Sequence, residues 1–589
     1  MCSEGDRRAG APQLVIDPAL RFNGEENHEG YALSIKSDGI IIKASGTAGL
    51  FYGQQTLNQI LDQSPEDIRC VDIVDYPDVS FRCIAVDLRF QTFTMDYLLE
   101  KMGTWAAWKM NAVLIDYSNN FPYSGKYAAI QAETAFTADE IQRLVDFAAA
   151  HYIEIIPCVQ SYGHMEYILT NEYFEYLAEK NNGGYLSQIC PLHPEAIDTL
   201  KDLLTQVYEA HHRPRYMSIG GDEAMHLGKC PDCADFVKIH GKIGLYLRFI
   251  NQVINTVRDL GATAIVYGDM VLADPRRIDD LADCIIADWD YWTLDTPPGK
   301  LMDWETKKMI SVGEIEDKPH LKDIASELAD GDAFHAFAYT RWLTRKGISV
   351  MGAASTASTG ADDNWTPNYN VHIPNITGFA RAVKNCGAKG LIITVWERHL
   401  METISYGIAA GADALWAGVE TDAGVKVDAD GDLTIGNEAF RDQAERFCAV
   451  HFGIIFAKLA VSLIHAMYTL SQPYTLVEKK FPKVYIPELF GRGQITLEEI
   501  VNNTAIDKNI DAARYAFEFA LEKAAKNVYE LEQWLYGVKM KKFWRKQAAL
   551  DLRASKLKAE AGELLKDNMP AHALERRIAD SFSLKRINA

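Results

Sequence analysis

Apolar residues in this chain gather in short runs, and from Arg82 to about Ala417 the runs recur with a helix-sized segment between them. They read Cys83-Ile84-Ala85-Val86, Ala112-Val113-Leu114-Ile115, Ile153-Glu154-Ile155-Ile156-Pro157 and Tyr216-Met217-Ser218-Ile219. The series continues with Ala264-Ile265-Val266-Tyr267, Cys284-Ile285-Ile286-Ala287, Ile348-Ser349-Val350-Met351 and Leu391-Ile392-Ile393-Thr394. A continuous apolar run suits a parallel strand covered on both faces, and strand–helix alternation suits βα units. Eight such units predict an α/β fold of the (β/α)8 TIM-barrel kind rather than an open doubly wound sheet. No Gly-rich dinucleotide fingerprint follows the first strand.

The flanks have other rhythms. Tyr31–Ile35 and Gly39–Lys43 read as strands and Gln54–Leu61 as a helix, which predicts a small α/β domain over residues 1–76. The barrel is expected over 77–425 and an α-helical C-terminal domain over 426–589. Within the latter, Ile510–Asn568 carries Tyr515, Phe519, Leu521, Val528, Leu531, Trp534 and Leu535 near helical spacing. A helical hairpin packed on the barrel is the plainer reading of that stretch, and a homodimer contact the sharper one.

A length of 589 residues exceeds what one core usually supports, roughly 250–300 residues, so more than one domain is expected. Sixty Lys and Arg against 81 Asp and Glu leave a net charge of −21. That balance argues against nucleic acid and against an anionic membrane surface as partners. No apolar run approaches the roughly 20 residues that span a bilayer. The first residues, Met1 to Arg8, lead into no hydrophobic stretch, so they do not read as a signal peptide and a cytoplasmic location is expected. The ten cysteines are scattered, several within apolar runs, and are expected to be reduced, buried thiols.

In a barrel of this kind reactive groups stand at the carboxyl ends of the strands. The residues found there are Asp87-Leu88-Arg89, Asp116-Tyr117, Gln160-Ser161-Tyr162-Gly163-His164 and Gly220-Gly221-Asp222-Glu223. Gly268-Asp269, Asp288-Trp289-Asp290-Tyr291-Trp292 and Val395-Trp396-Glu397-Arg398 complete the rim. Aromatic faces suit the apolar faces of a pyranose, and carboxylates with Arg suit its hydroxyls, so sugar chemistry is expected. Asp222-Glu223 is the sharpest feature. Adjacent strand residues face opposite sides, but the preceding glycines free the backbone so that both carboxylates can address one cleft. Two neighbouring carboxylates are expected to split their pKa values, leaving Asp222 ionised and Glu223 protonated near neutrality.

Ser218-Ile219-Gly220-Gly221-Asp222-Glu223-Ala224 closely resembles the signature of the family-20 glycoside hydrolases, the β-N-acetylhexosaminidases. Gly46–Gly53 looks like the end of the small domain that precedes their barrel, and Asp87-Leu88-Arg89 and Gly163-His164-Met165-Glu166 fall where that family has its first- and third-strand motifs. The similarity covers roughly residues 30–420 and leaves out the helical tail. It implies a retaining exo-enzyme acting on glycans with a terminal β-linked 2-acetamido sugar, through attack by the substrate's own acetamide oxygen. Glu223 would protonate the leaving oxygen and then activate water, while Asp222 would orient the acetamide. Tyr291 would help position the acetamide oxygen, Arg89 would grip ring hydroxyls, and Trp289 and Trp396 would wall the acetamide pocket. His164 joins the site by its place after the third strand, and Glu397 or Asp269 would bind outer hydroxyls. Tyr267-Gly268-Asp269, Ile115-Asp116-Tyr117 and Trp396-Glu397-Arg398 depart from the family pattern, which leaves the leaving group and the C4 and C6 preferences open.

Two other readings compete. A family-84-like β-N-acetylglucosaminidase would carry an Asp-Asp pair, which Asp222-Glu223 contradicts; a non-catalytic carbohydrate-binding barrel would not need an intact acid. His226, Cys230 and Cys233 form His-x3-Cys-x2-Cys, but zinc sites take about four ligands and no second Cys pair follows. Loop thiols are therefore expected, with no metal and no other cofactor. His335 and His372 read as structural or surface residues and Trp105 and Trp108 as core, while Trp342 or Trp365 could reach the cleft.

Overall fold

A computed structural model describes residues 11–452 apart from 64–67, 90–92, 180–185, 295, 359–366, 368, 397–400, 419–424, 428–432 and 436–437. The chain begins with a four-stranded sheet: β1 (Gln13–Ile16), β2 (Tyr31–Lys36), β3 (Gly39–Ala44) and β4 (Val71–Asp75), ordered β1-β3-β2-β4. One face of β2 and β3 alternates buried Tyr31, Leu33, Ile35 with Ile40, Ile42 and Ala44 against a helix over Thr47–Gln63. Two of these strands, β1 and β4, are sheet edges whose side chains stay largely in solvent, Leu14 at 53% and Val74 at 67% exposure.

Eight parallel strands then close a barrel. They are β5 (Phe81–Asp87), β6 (Ala112–Asp116), β7 (Glu154–Cys158), β8 (Tyr216–Ser218), β9 (Thr263–Tyr267) and β10 (Ile285–Trp289), followed after an excursion by two more. The excursion makes two short hairpins, β11 (Leu301–Asp303) with β12 (Lys308–Ile310) and β13 (Ala329–Asp330) with β14 (Ala333–Phe334). Strands β15 (Val350–Ala357) and β16 (Gly390–Val395) complete the ring, β16 pairing with β5 from Gly390 opposite Phe81 to Val395 opposite Val86. Alternate residues explain the unbroken apolar runs. Cys83, Ala85, Leu114, Ile156, Ile265 and Ile392 fill the barrel interior, while Ile84, Val86, Val113, Ile155, Val266 and Ile393 pack outward under the helices. The helix over Ala138–Ala150 starts at a reciprocal cap, Glu140 N donating to Thr137 Oγ1 at 3.2 Å and Thr137 N to Glu140 Oε2 at 2.8 Å.

The small sheet is joined to the barrel's amino-terminal end through buried polar groups. Arg82 is fully buried and grips Glu29 with both terminal guanidinium nitrogens, at 3.0 and 2.8 Å. Its Nε donates to Lys109 O at 2.7 Å, and Asn111 Nδ2 donates to Glu29 at 3.0 Å. Nearby, Asp75 accepts from Trp416 Nε1, Lys109 Nζ and Tyr31 Oη.

After a helix over Met401–Ala417 the chain forms a hairpin of β17 (Val425–Val427) and β18 (Leu433–Ile435), then a helix over Glu438–Phe452 whose Phe447 and His451 lie against Trp108. The division expected at residues 425 and 426 falls inside β17, and the helical pattern of Ile510–Asn568 lies outside the described residues. Among the described residues, no helix is long and apolar enough to cross a membrane. Eight described cysteines carry free thiols, whereas Cys70 is disulfide-bonded, an exception to the reduced set expected.

Candidate active site

The strand that delivers Asp222 and Glu223 is short. β8 ends at Ser218, yet its ladder with β9 continues through Ile219 N to Ile265 O and Tyr267 N to Gly220 O, both 2.9 Å. The chain then turns sharply through Gly220 (φ +60°) and Gly221 (φ +85°), a conformation that a side chain disfavours. A Cβ on Gly220 would stand 1.8 Å from Gln160 Oε1, so the turn presses directly on the loop after β7. The two loops meet again at Gly163, where a Cβ would stand 2.3 Å from Asp222 O. Two non-glycine residues at this junction, His164 (φ +54°) and Glu223 (φ +48°), also hold left-handed backbones. Such residues carry strain of about 1–3 kcal/mol each and persist only where packing imposes them.

That packing brings His164 between both carboxylates. Its Nε2 lies 3.4 Å from Asp222 Oδ2 and 3.3 Å from Glu223 Oε2. Burial lowers the imidazole pKa, but the Asp222 charge and the hydrogen bonds to both acids outweigh it and raise the group to about 10. In return, although burial opposes ionisation of Asp222, the His164 charge and hydrogen bond hold its carboxyl below the usual range. The His164 hydrogen bond does the same for Glu223. The split expected between neighbouring acids is therefore corrected: a cationic histidine shared by the pair keeps both ionised in the free protein. A raised carboxyl in contact with the pair is Asp269, pushed by burial and then by the Asp222 charge to about 7.

Asp269 lies beneath the pair. It is 2% exposed, and its Oδ2 accepts from Glu223 N at 3.1 Å, which anchors the backbone of the pair from beneath. Arg89 is held by Asp87 through Nε at 2.9 Å and a terminal nitrogen at 2.7 Å, and its Nε lies 3.5 Å from Asp116. Asp116, which also accepts from Gln160 Nε2 at 2.7 Å and from Ser118 N at 3.1 Å, is raised to about 6 by burial despite the Arg89 charge.

Aromatic residues build the opposite wall. Tyr291 Oη accepts from Trp396 Nε1 at 2.8 Å and stacks on Trp289 with centroids 5.2 Å apart. Trp396 faces Tyr267 edge-on at 6.2 Å. The excursion after β10 adds Trp304, 4.4 Å from Trp289, and Lys307, whose charge lowers the Glu223 and Asp269 pKa values. Neither Trp304 nor Lys307 carries a local signal, because a long irregular loop delivers them. Glu397, Arg398 and Trp365 lie outside the described residues. Trp342 is buried in the core outside the barrel and His372 is buried beside Ser358.

Several buried polar atoms at this rim make no hydrogen bond among the described residues: Asp222 Oδ1, Asp269 Oδ1, Gln160 Oε1, Tyr267 Oη and Trp289 Nε1. A buried polar atom without a partner is costly, so these atoms define where a polar ligand is best received.

The charge arrangement sets a pH dependence for stability. The raised His164 contributes fully below its ordinary value of 6.5 and loses its contribution as pH rises through about 10. The depressed Asp222 and Glu223 contribute above their ordinary values and lose it as pH falls through their lower folded values. The Tm deficit of His164→Gln relative to wild type is thus expected to be largest near about pH 6 and to shrink towards about pH 10. Thermal melts across that range check it, and a constant deficit would count against a shared imidazolium.

Two family models match the chain. "Glycosyl hydrolase family 20, domain 2" covers residues 6–76, and "Glycosyl hydrolase family 20, catalytic domain" covers residues 82–303. Hexosaminidase D of Bos taurus is 25% identical over 349 residues, 57% of this chain and 91% of that protein. Among solved structures, the β-N-acetylhexosaminidase of Bacteroides fragilis superposes with a TM-score of 0.51 at 18% identity, over 69% of this chain and 79% of the other. The family-20 exo-β-N-acetylglucosaminidase of Vibrio harveyi, solved with N-acetylglucosamine, gives a TM-score of 0.51 at 15% identity, over 76% and 68% of the two chains.

Proposed function

The chain belongs to glycoside hydrolase family 20 and is a glycoside hydrolase of the β-N-acetylhexosaminidase type, and from that premise we propose that it is a retaining exo-enzyme working by substrate assistance. Its substrate is a glycan with a terminal N-acetylhexosamine. The observation that supports the mechanism most is the unequal pair: Asp222 is deep, with one carboxylate oxygen unpartnered, while Glu223 is more open, its side chain 39% exposed.

In this reading Asp222 Oδ1 receives the acetamide N–H, and Tyr291, already accepting from Trp396, donates a hydrogen bond to the acetamide oxygen. That oxygen attacks the anomeric carbon, and the ionised Asp222 stabilises the positive charge that develops on the nitrogen. A sugar seated over Glu223 strips its water, which disfavours the carboxylate and draws a proton across from His164, 3.3 Å away. Glu223 then protonates the leaving oxygen as the bond breaks, and in the second step takes a proton from the incoming water. Arg89 and its Asp87 partner bind ring hydroxyls, and Trp289 and Trp396 wall the acetamide. Asp269 acts through the Glu223 backbone. The small domain over 1–76, the barrel over 77–425 and a helical segment over 426–589 remain the proposed division, with β17 straddling the last boundary.

The test follows the anomeric proton by NMR during hydrolysis of aryl β-GlcNAc, β-GalNAc and 6-sulfo-GlcNAc glycosides. The β-anomer is expected to form first, and the panel ranks the substituents. Release of the α-anomer first, or no turnover on any 2-acetamido sugar, would overturn the reading.

A further inference from the structure

Forty residues separate Cys190 from Cys230 in the chain, yet the fold brings their sulfurs together. Cys190 Sγ lies 3.7 Å from Cys230 Sγ and 3.6 Å from Cys233 Sγ, and the three sulfurs fall within 4.8 Å of one another. A disulfide would hold two of them at about 2.05 Å, so none is bonded here. Four sulfurs around a zinc ion with bonds of about 2.3 Å form a tetrahedron whose edge is roughly 3.8 Å. The two measured separations are nearly that edge. From this geometry we propose that Cys190, Cys230 and Cys233 form a zinc site with three thiolate ligands, the fourth position being taken by water.

The surroundings are built to hold the three sulfurs where they are. Cys190 is fixed by its N–H to Leu177 O at 2.7 Å, beside the bridge between Ala178 and Ile189. Cys230 caps the helix over Pro231–Leu260, its sulfur accepting from Cys233 N at 3.4 Å. The helix dipole favours negative charge at that end, as a thiolate ligand requires. Behind the sulfurs, buried Glu179 accepts from Cys230 N at 3.4 Å and from Gln188 Nε2 at 2.6 Å. Gln188 in turn accepts from His226 N at 2.9 Å. Among the described residues the group of donor atoms within 4.8 Å of one another here is the three sulfurs, and the proposed site takes water as its fourth ligand. Thiolates select soft and borderline ions, and zinc needs no redox partner. Binding converts three thiols and Zn²⁺ into a tris-thiolate complex and releases three protons.

The site's place gives it a purpose. Cys190 belongs to the segment after β7 that carries His164, whereas Cys230 follows Asp222 and Glu223 after β8. A metal here staples together the two loops whose contact at Gly163 sets the His164 geometry.

Elemental analysis of the purified full-length chain, reduced and dialysed without chelator, is expected to find one zinc per chain. Cys190→Ser, Cys230→Ser and Cys233→Ser should each bring this to background, while Cys284→Ser, a buried thiol elsewhere, should leave it unchanged. Cobalt replacing zinc should give thiolate charge-transfer absorption and intense visible bands of a tetrahedral site. The cobalt spectrum is read on the native protein, so it decides the question even if a serine variant folds poorly. No metal uptake by the reduced native protein, cobalt bands without thiolate absorption, or full zinc retention in folded Cys190→Ser would each overturn the site.

Discussion

Glu223→Gln is expected to lower kcat/KM for an alkyl β-GlcNAc glycoside by about 10²–10⁴-fold, the range that general acid catalysis supplies. The size should depend on the leaving group. An alkoxide needs its proton as the bond breaks, whereas a dinitrophenolate leaves without one. The first step with a dinitrophenyl glycoside should therefore suffer far less, and the loss should move to the second step, where Glu223 removes a proton from water. Kinetics over a series of aryl leaving groups would show this as a steeper dependence of kcat/KM on leaving-group acidity in the variant. An equal loss for every leaving group would count against Glu223 as the acid. The shared histidine adds a second signature: with Glu223 neutral, His164 keeps only Asp222 as an ionic partner, so its pKa should fall from about 10 towards its ordinary value.

Asp222→Asn tests the other half of the pair. The amide keeps the shape but removes the charge that faces the acetamide nitrogen, and it can present a donor where an acceptor is needed. Losing one such preorganised group typically lowers kcat by about 10²–10³-fold. The loss should fall on kcat rather than KM, because the charge matters most once the nitrogen becomes positive. Unchanged turnover in folded Asp222→Asn would sink substrate assistance. Together the two variants separate the roles: one loss scales with the leaving group, the other does not.

How much of this was legible follows from where the signals lie. The barrel strands could be read because each is buried on both faces, Ile84 outward and Cys83 inward, so apolar runs survive without alternation. Strand β1 was missed because an exposed edge carries little pattern, as Leu14 shows. The rim residues were found by position alone, since everything after a barrel strand converges. The charge state of the pair was not readable, because it depends on a histidine placed between the carboxylates by a left-handed backbone turn some sixty residues earlier in the chain. Cys190 escaped for the same reason: a three-ligand cluster drawn from two loops has no linear spacing. Trp304 and Lys307 come from a hairpin inside an excursion whose path no local periodicity sets.

The grip of Arg82 on Glu29 bears on how this barrel could be recombined. The guanidinium is fully enclosed, and Glu29, its carboxylate partner among the described residues, belongs to the unit that precedes the barrel. Removing one partner of a buried ion pair typically costs about 3–5 kcal/mol, a large share of an ordinary domain's stability of about 5–15 kcal/mol. A barrel cut out at Arg82 would strand that charge in dry protein. Chimaeras that exchange the leading unit must therefore bring a carboxylate to the place of Glu29, or replace Arg82 at the same time.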